Sequence, residues 1–183
     1  MELIIVLVIL GVIGLFVIGI YNRLVSLRQN VNRGVADIDA QLRQRHDLIP
    51  NLVNTVKGYA AHEAGTLESV ITARNKAAQG AINSADEAQL RIALDKLLAL
   101  AEAYPDLKAN TNFLSLQAEL SSVEDKLAAA RRALNAAVSR YNTGIESFPA
   151  VLFAGILGFQ EADFHRLDDS EQGVVDQVPE VKF

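Results

Sequence analysis

The sequence predicts an all-α protein in which an N-terminal transmembrane helix is followed by an antiparallel bundle of long helices. After Met1 and Glu2 the chain has 18 consecutive uncharged apolar residues, close to the length that crosses a bilayer. Beyond them, apolar residues recur every three or four positions, and no segment alternates convincingly with the period of two typical of strands. Half of the 183 residues are hydrophobic but only 6% are aromatic, as expected for a membrane segment plus Ala/Leu-rich helices.

The first element is the apolar run from Leu3 to Ile20. As a helix it measures about 27 Å, close to the hydrocarbon thickness of a bilayer. The alternative is a cleaved signal peptide. The run is longer than a usual signal-peptide core, Glu2 precedes it instead of a basic residue, and no Ala-x-Ala site follows. We therefore predict a retained anchor over residues 1–22, followed by a helical domain over residues 23–160.

The span carries three glycines within a sector of about 140°. They are Gly11, Gly14 and Gly19. A face of small residues allows helices to approach closely in lipid, so this face is a candidate for self-association. Glycine is also common in membrane spans, and the spacing is not that of a GxxxG motif.

Basic residues follow the span. They form a run of five arginines: Arg23, Arg28, Arg33, Arg43 and Arg45. Because only Glu2 and the terminal amine precede the span, the positive-inside rule predicts a single-pass protein of the bacterial cell membrane with its N-terminus outside and its body cytoplasmic. Arg23 and Arg28 lie near enough to contact lipid headgroups. The alternative is that the run serves only topology and salt bridges with Asp37 and Asp39.

A helical stripe of apolar residues begins after the span. It consists of Leu24, Leu27, Val31, Val35, Ile38, Leu42, Ile49, Leu52, Val56, Leu67 and Val70. Pro50 interrupts the stripe because it lacks an N–H and clashes with the preceding turn. Either one long helix kinks near residues 46–50 or a turn there makes a hairpin. The unbroken phase of the stripe favours the kink.

The next helix is predicted to begin with a capping box. In this motif the Ser84 hydroxyl accepts from the third helical N–H while the Glu87 side chain reaches back. The helix carries an apolar stripe through Leu90, Leu94, Leu97, Leu98 and Ala101. It should end before Pro105, which suits the first turn of a following helix.

The last helix carries the clearest pattern. Its apolar positions alternate spacings of three and four: Phe113, Leu116, Leu120, Val123, Leu127, Ala130, Leu134, Ala137 and Tyr141. We call these residues the helix-packing seam, since the spacing is that of coiled-coil a and d positions. A helix from Asp106 to Ile145 is about 60 Å long. It exceeds the helix before it, so part of the seam is predicted to remain for a second copy of the chain.

An uncharged apolar segment follows, from Phe148 to Phe159. It is too short to span a bilayer as a helix. The favoured interpretation is a segment that caps one end of the bundle. The alternative is a second membrane contact in which Phe148, Phe153 and Phe159 enter the interface.

The negative charge of the chain lies at its end. Residues 161–183 contain seven acidic and two basic side chains, which match the net charge of −5 of the whole chain. High charge without a helical stripe predicts a disordered tail.

The sequence contains no recognisable catalytic motif. His62-Glu63 resembles the start of an HExxH zinc helix, but Thr66 stands where the second histidine belongs. His46 and His165 appear isolated, and the absence of cysteine removes thiolate ligands and nucleophiles. Glu119 and Glu124 lack the spacing of an acid/base pair. We therefore predict no enzymatic activity, no metal or cofactor and no small-molecule substrate, and the acidic composition argues against nucleic acid.

Three segments resemble the LemA family of bacterial membrane proteins. They run from Tyr21 to Arg74, Ala101 to Arg132 and Tyr141 to Phe159, and they include RHDLIPNLV, YPDLKANTNFL and KLAAAR in the expected order. The resemblance implies one transmembrane helix and an all-α bundle, and it implies no established activity. Some relatives take part in building magnetosome membranes. Family members often carry an aromatic residue where Val35 stands and tyrosine where Leu134 stands, and both positions fall on stripes predicted to be buried.

Together these features predict a membrane-anchored, non-enzymatic scaffold. The expected partners are membrane lipid and further copies of the chain, because an anchor and a long seam are present without catalytic chemistry. The alternative is an adaptor or regulator of a neighbouring membrane protein or protease.

Overall fold

A computed structural model describes residues 1–79 and 83–164. Over these residues the chain forms α1 (Glu2–Lys57), α2 (Ala64–Ala77), α3 (Ser84–Ala101), α4 (Pro105–Lys108), α5 (Thr111–Glu146) and α6 (Val151–Ala154), and no strand is present. The predicted all-α class, with a long apolar N-terminal helix ahead of further helices, is confirmed. Of the tail predicted to be disordered, residues 161–183, the part from 165 to 183 lies outside the described residues.

Helix α1 runs without interruption through Pro50, so the alternative of a hairpin turn at this proline is wrong. A proline here leaves the carbonyl of His46, one turn earlier, without its helical N–H donor. The Arg74 side chain of α2 fills that role, because its Nε donates to the His46 carbonyl at 3.0 Å. The helix ends at Lys57, and Gly58, a poor helix former, begins the connection over residues 58–63.

Helix α3 begins as predicted at Ser84, but the predicted capping box is wrong by one residue. Asn83 is the N-cap, and its side-chain oxygen accepts a hydrogen bond from the Ala85 N–H at 3.0 Å. The Asn83 amide in turn donates to Asp86 at 3.0 Å. Glu87 is therefore not needed at the helix start, and its side chain points into the protein, where it is 5% exposed.

The prediction of one long last helix from Asp106 is wrong at its beginning, because α4 and α5 are separate helices. Pro105 occupies the first turn of α4 as predicted, with Tyr104 as its N-cap. Asn110 then starts a new helix, since its side-chain oxygen accepts from the Phe113 N–H at 3.0 Å. Asparagine competes well for this capping role, so the backbone restarts there instead of continuing. Helix α5 ends at Glu146, close to the predicted end at Ile145.

The chain forms two compact units. The first unit within the described residues comprises 1–38 and 129–164, and the second comprises 39–128. The second unit has a core of buried aliphatic side chains contributed by all five helices that enter it, among them Leu52, Val70, Leu97, Leu107 and Leu120. Burying such side chains stabilises the folded unit by about 2 kcal/mol each.

The core of the first unit joins α1 to the chain that follows α5. Leu24 of α1 packs with Tyr141, Ala150, Ala154 and Phe159. Two hydrogen bonds of 2.9 Å also tie the Asn142 side chain to the backbone of Ala162. The packed chain therefore extends into the first residues of the predicted tail.

Helices α1 and α5 approach each other closely at Gly34. A Cβ atom at this position would lie 3.2 Å from the Cα of Leu134. Since successive residues of a helix are about 100° apart, turning Gly34 toward α5 turns its neighbour away. Val35 is accordingly 46% exposed, and the prediction that it is buried is wrong, whereas Leu134 is buried as predicted.

Candidate membrane-contact surface and buried polar cluster

The predicted span forms the N-terminal part of α1. Leu3, Gly11, Gly14 and Gly19 are exposed, and Ile20 at its end is half-buried. Within the described residues, α1 is the only helix whose length and composition suit a membrane crossing. A Cβ atom added at any of the three span glycines would meet nothing within 4 Å. The glycine face is therefore free of intramolecular contacts.

The arginine run does not form one surface. Arg23, Arg28 and Arg33 are exposed on α1, and the Arg28 guanidinium lies 5.1 Å from the centre of the Phe159 ring. Arg43 pairs with Asp39 at 2.6 Å, in agreement with the salt-bridge alternative for that residue. Arg45 is only 2% exposed, so its assignment to a surface run is wrong.

The apolar segment after α5 has two different faces. Ala150, Ala154 and Phe159 are buried against α1, and the Phe159 ring meets Tyr21 edge-on with their centres 5.6 Å apart. Phe159 is 4% exposed, so it does not contact lipid as the membrane-contact alternative required. The other face is open to solvent, with Phe148 79% and Ile156 86% exposed. The capping interpretation accounts for the buried face only.

The helix-packing seam is used inside the chain. Six of its positions are buried: Phe113, Leu120, Val123, Leu127, Leu134 and Tyr141. Leu116, Ala130 and Ala137 are half-buried. None of the nine seam residues is exposed, and the seam therefore has no open face for another chain.

A buried polar cluster occupies the second unit. Both oxygens of the Glu87 carboxylate are engaged, one by an ion pair with Arg45 and the other by the His46 Nε2 at 3.0 Å. Arg45 also donates to Glu124 at 2.7 Å, and that carboxylate is half-exposed. The interpretation of His46 as isolated is therefore wrong, and Glu124 of α5 joins the same cluster. Charges this deep persist only when they are paired.

The surroundings of the His46 imidazole favour its neutral form. Burial, together with the nearby Arg45 and Arg74, lowers the pKa of His46 below its ordinary value, although Asp47 acts in the opposite direction. Contact with Glu87 alone would favour a charged ring, but Arg45 already compensates that carboxylate. A neutral ring can still donate its Nε2 hydrogen to Glu87. The cluster borders a cavity of about 250 Å³ that Asp39 and Arg43 also line.

The sequence contains a signal for this cluster, although no catalytic or metal-binding motif includes its residues. Glu87 precedes Leu90, Leu94 and Leu97 at spacings of three and four, so it stands on the buried stripe of α3. Arg45 likewise falls on the α1 stripe, between Leu42 and Ile49. A single charged residue at a stripe position, on each of two helices and with opposite signs, predicts a buried ion pair. In the described residues, no three His, Cys, Asp or Glu side chains are grouped closely enough to hold a metal ion.

Helix α1 begins with an exposed apolar span and continues into an all-α body. This arrangement is that of a membrane-associated helical protein. The sequence profile of the LemA family matches residues 34–183. The chain belongs to the LemA family.

Individual relatives agree with this assignment at low identity. Protein LemA of Metamycoplasma hominis is 24% identical over 169 residues, which are 87% of this chain and 77% of the relative. Magnetosome protein MamQ 2 of Paramagnetospirillum magneticum is 24% identical, and magnetosome protein MamQ of Magnetospirillum gryphiswaldense is 22% identical, each over 173 residues. Both alignments cover 79% of this chain and 64% of the relative, so the chain spans less than two thirds of their length.

Proposed function

We propose that the chain is a membrane-anchored, non-enzymatic helical scaffold that self-associates and thereby organises or shapes membrane or recruits partners. The observation that carries this proposal is the continuity of α1 from Glu2 to Lys57. One helix contains both the apolar span and residues of the packed body, so no flexible linker separates anchor from body. Names of related proteins, which include magnetosome proteins, support a membrane setting.

The absence of enzymatic activity is part of the proposal. The buried cluster is the strongest candidate for acid/base chemistry in the described residues. Its central carboxylate, Glu87, is already occupied by Arg45 and His46. A general base must be within reach of a substrate proton, whereas this carboxylate is 5% exposed and each of its oxygens already contacts another side chain of the protein. The cluster fits a structural role better than a catalytic one.

Self-association is proposed to use the glycine face of the span. The helix-packing seam is consumed by contacts within the chain, whereas Gly11, Gly14 and Gly19 have no intramolecular neighbours. Two spans that meet along such a face bring their backbones close together and gain van der Waals contacts that lipid would not supply.

Gly14→Leu is expected to weaken this association in lipid about tenfold, because the new side chain separates the two helices and removes about 1.4 kcal/mol of packing. The measurement is single-molecule photobleaching of the labelled full chain in liposomes, repeated over a range of protein-to-lipid ratios. Ile13→Phe is the matched control. It adds comparable bulk on the opposite side of the span, where no contact is proposed.

A wild-type chain that is strictly monomeric at every protein-to-lipid ratio would rule out the scaffold. Equal effects of Gly14→Leu and Ile13→Phe would instead mean that association uses another surface. Crosslinking in cells that recovers a neighbouring membrane protein, with no contacts between copies, would favour the adaptor alternative.

The proposed orientation places the N-terminus outside the cell and the body in the cytoplasm. Arg23, Arg28 and Arg33 support it, since they follow the span while only Glu2 precedes it among charged side chains. Protease added to intact spheroplasts is expected to leave the body uncut and to digest it after the membrane is permeabilised. Digestion in intact spheroplasts would mean the reverse orientation.

A further inference from the structure

The open face of the segment after α5 is an apolar surface without a partner in the described residues. Its four large side chains are Phe148, Val151, Leu152 and Ile156, which we call the apolar tip. All four are at least half-exposed, and residues 147–160 carry no charge. Phe148, Leu152 and Ile156 follow one another at intervals of four residues and Val151 adjoins Leu152, so the four side chains lie within nine residues around the short helix α6. Such a cluster is costly to leave in water.

The segment that carries the tip is fixed to α1 at the point where the span ends. At one end of the segment, Phe148 borders a small cavity together with Ile20 and Arg23. At the other end, Phe159 packs against Tyr21 and under the Arg28 guanidinium. Both attachments belong to the first unit. The segment therefore lies beside residues 20–28 of α1.

This position corresponds to the depth of the lipid headgroups. If the hydrocarbon core ends near Ile20, residues 21–25 extend about 7 Å further, which is about the thickness of one interfacial layer. Apolar and aromatic side chains on an amphipathic segment bind at this depth. The exposed Arg23 beside Phe148 adds a cation for lipid phosphate.

We propose that the apolar tip inserts into the interfacial layer of the same bilayer that the span crosses. The protein would then hold the membrane at two points, the span and the tip. This inference rests on the membrane anchor of the proposed function. Lipid is the occupant because the tip is attached at the end of a lipid-surrounded helix, so its effective concentration at the bilayer is far higher than that of any separate partner.

The absence of tryptophan from the chain provides a direct test. Leu152→Trp and Ile156→Trp each place a single tryptophan on the tip of the full chain, reconstituted in phosphatidylcholine–phosphatidylglycerol liposomes. Insertion at the interface predicts blue-shifted emission and at least about twofold quenching by lipids brominated near the headgroup. Lipids brominated near the end of the acyl chain should quench less.

Two variants on α1 serve as controls. Val35→Trp is at an exposed position about 22 Å along the helix beyond Ile20. Its emission should therefore remain that of a water-exposed tryptophan, and brominated lipids should not quench it. Phe16→Trp lies inside the span and should be quenched most strongly by deep bromines. Circular dichroism of each variant verifies that it is folded, and all four sites are exposed, which favours tolerance of the larger ring.

The outcomes separate the tip from the anchor. Water-like, unquenched emission from both tip variants, with Phe16→Trp quenched, would overturn the inference and leave the anchor intact. If Phe16→Trp is also unquenched, the anchor and the proposed function fail together. Blue-shifted tip emission that brominated lipid does not quench would mean that protein covers the tip, for example a second copy, and this too would overturn the inference.

Discussion

Glu87→Ala is expected to lower the free energy of unfolding by about 3 kcal/mol or more, because removing one partner of a buried ion pair leaves the other charge uncompensated. Arg45 is 2% exposed and cannot turn to solvent without unpacking its helix. Glu124 remains as its second partner, but that carboxylate is half-exposed and engages only one guanidinium nitrogen. His46 also loses the acceptor of its Nε2.

Urea unfolding of the full chain in detergent, followed by circular dichroism, measures this effect. Glu68→Ala is the control, since Glu68 is an exposed glutamate on α2 and its replacement should change stability by less than about 0.5 kcal/mol. The double variant Arg45→Met/Glu87→Leu should recover most of the loss, because an apolar pair of similar volume needs no partner. A cost of Glu87→Ala below about 1 kcal/mol would mean that Glu124 alone satisfies Arg45.

Pro50→Ala is expected to raise the free energy of unfolding by about 2 kcal/mol, because alanine supplies the helical N–H that proline lacks and removes the clash with the preceding turn. The new N–H would donate to the His46 carbonyl, which Arg74 now serves at 3.0 Å. The effects of substituting Pro50 and Arg74 on the free energy of unfolding are therefore expected to be coupled.

A double-mutant cycle measures this coupling. Arg74→Ala alone should cost about 1–3 kcal/mol by leaving a half-buried carbonyl without a donor, and it should cost clearly less in the Pro50→Ala background. Arg132→Ala, which removes an exposed arginine of α5, controls for loss of charge. Additive effects of Pro50→Ala and Arg74→Ala would mean that the two sites are not coupled, so that Arg74 does not compensate for the donor missing at Pro50.

Features determined by local backbone chemistry were largely predictable. The apolar stripes gave the helical class, and Pro105 marked the boundary between α3 and α4 because proline suits only a first turn. The predictions failed at two asparagine N-caps. Asn83 caps α3 where Ser84 was expected, because these residue types differ too little in capping free energy for sequence to decide between neighbours, and Asn110 starts α5 inside what was predicted as one helix.

The polar cluster needed information from several helices at once. Arg45 comes from α1, Glu87 from α3 and Glu124 from α5, so the pairing exists only after the helices have packed. The hydrogen bond from Arg74 to His46 is similar, because periodicity cannot reveal which side chain replaces the donor missing at Pro50. The two faces of the apolar segment were likewise hidden, since composition treats Phe148 and Phe159 alike.

The two-part makeup of the first unit has a consequence for the order in which the protein matures. Leu24 leaves the ribosome well over a hundred residues before its partners Tyr141 and Phe159, whereas residues 39–128 of the second unit are contiguous. Loop-closure entropy favours the contiguous unit, which can complete its core while synthesis continues. The core of the first unit is closed only when the chain that follows α5 returns to α1. Completion of the first unit is thus expected to be a late event, which can occur only after residues up to Phe159 have been synthesised.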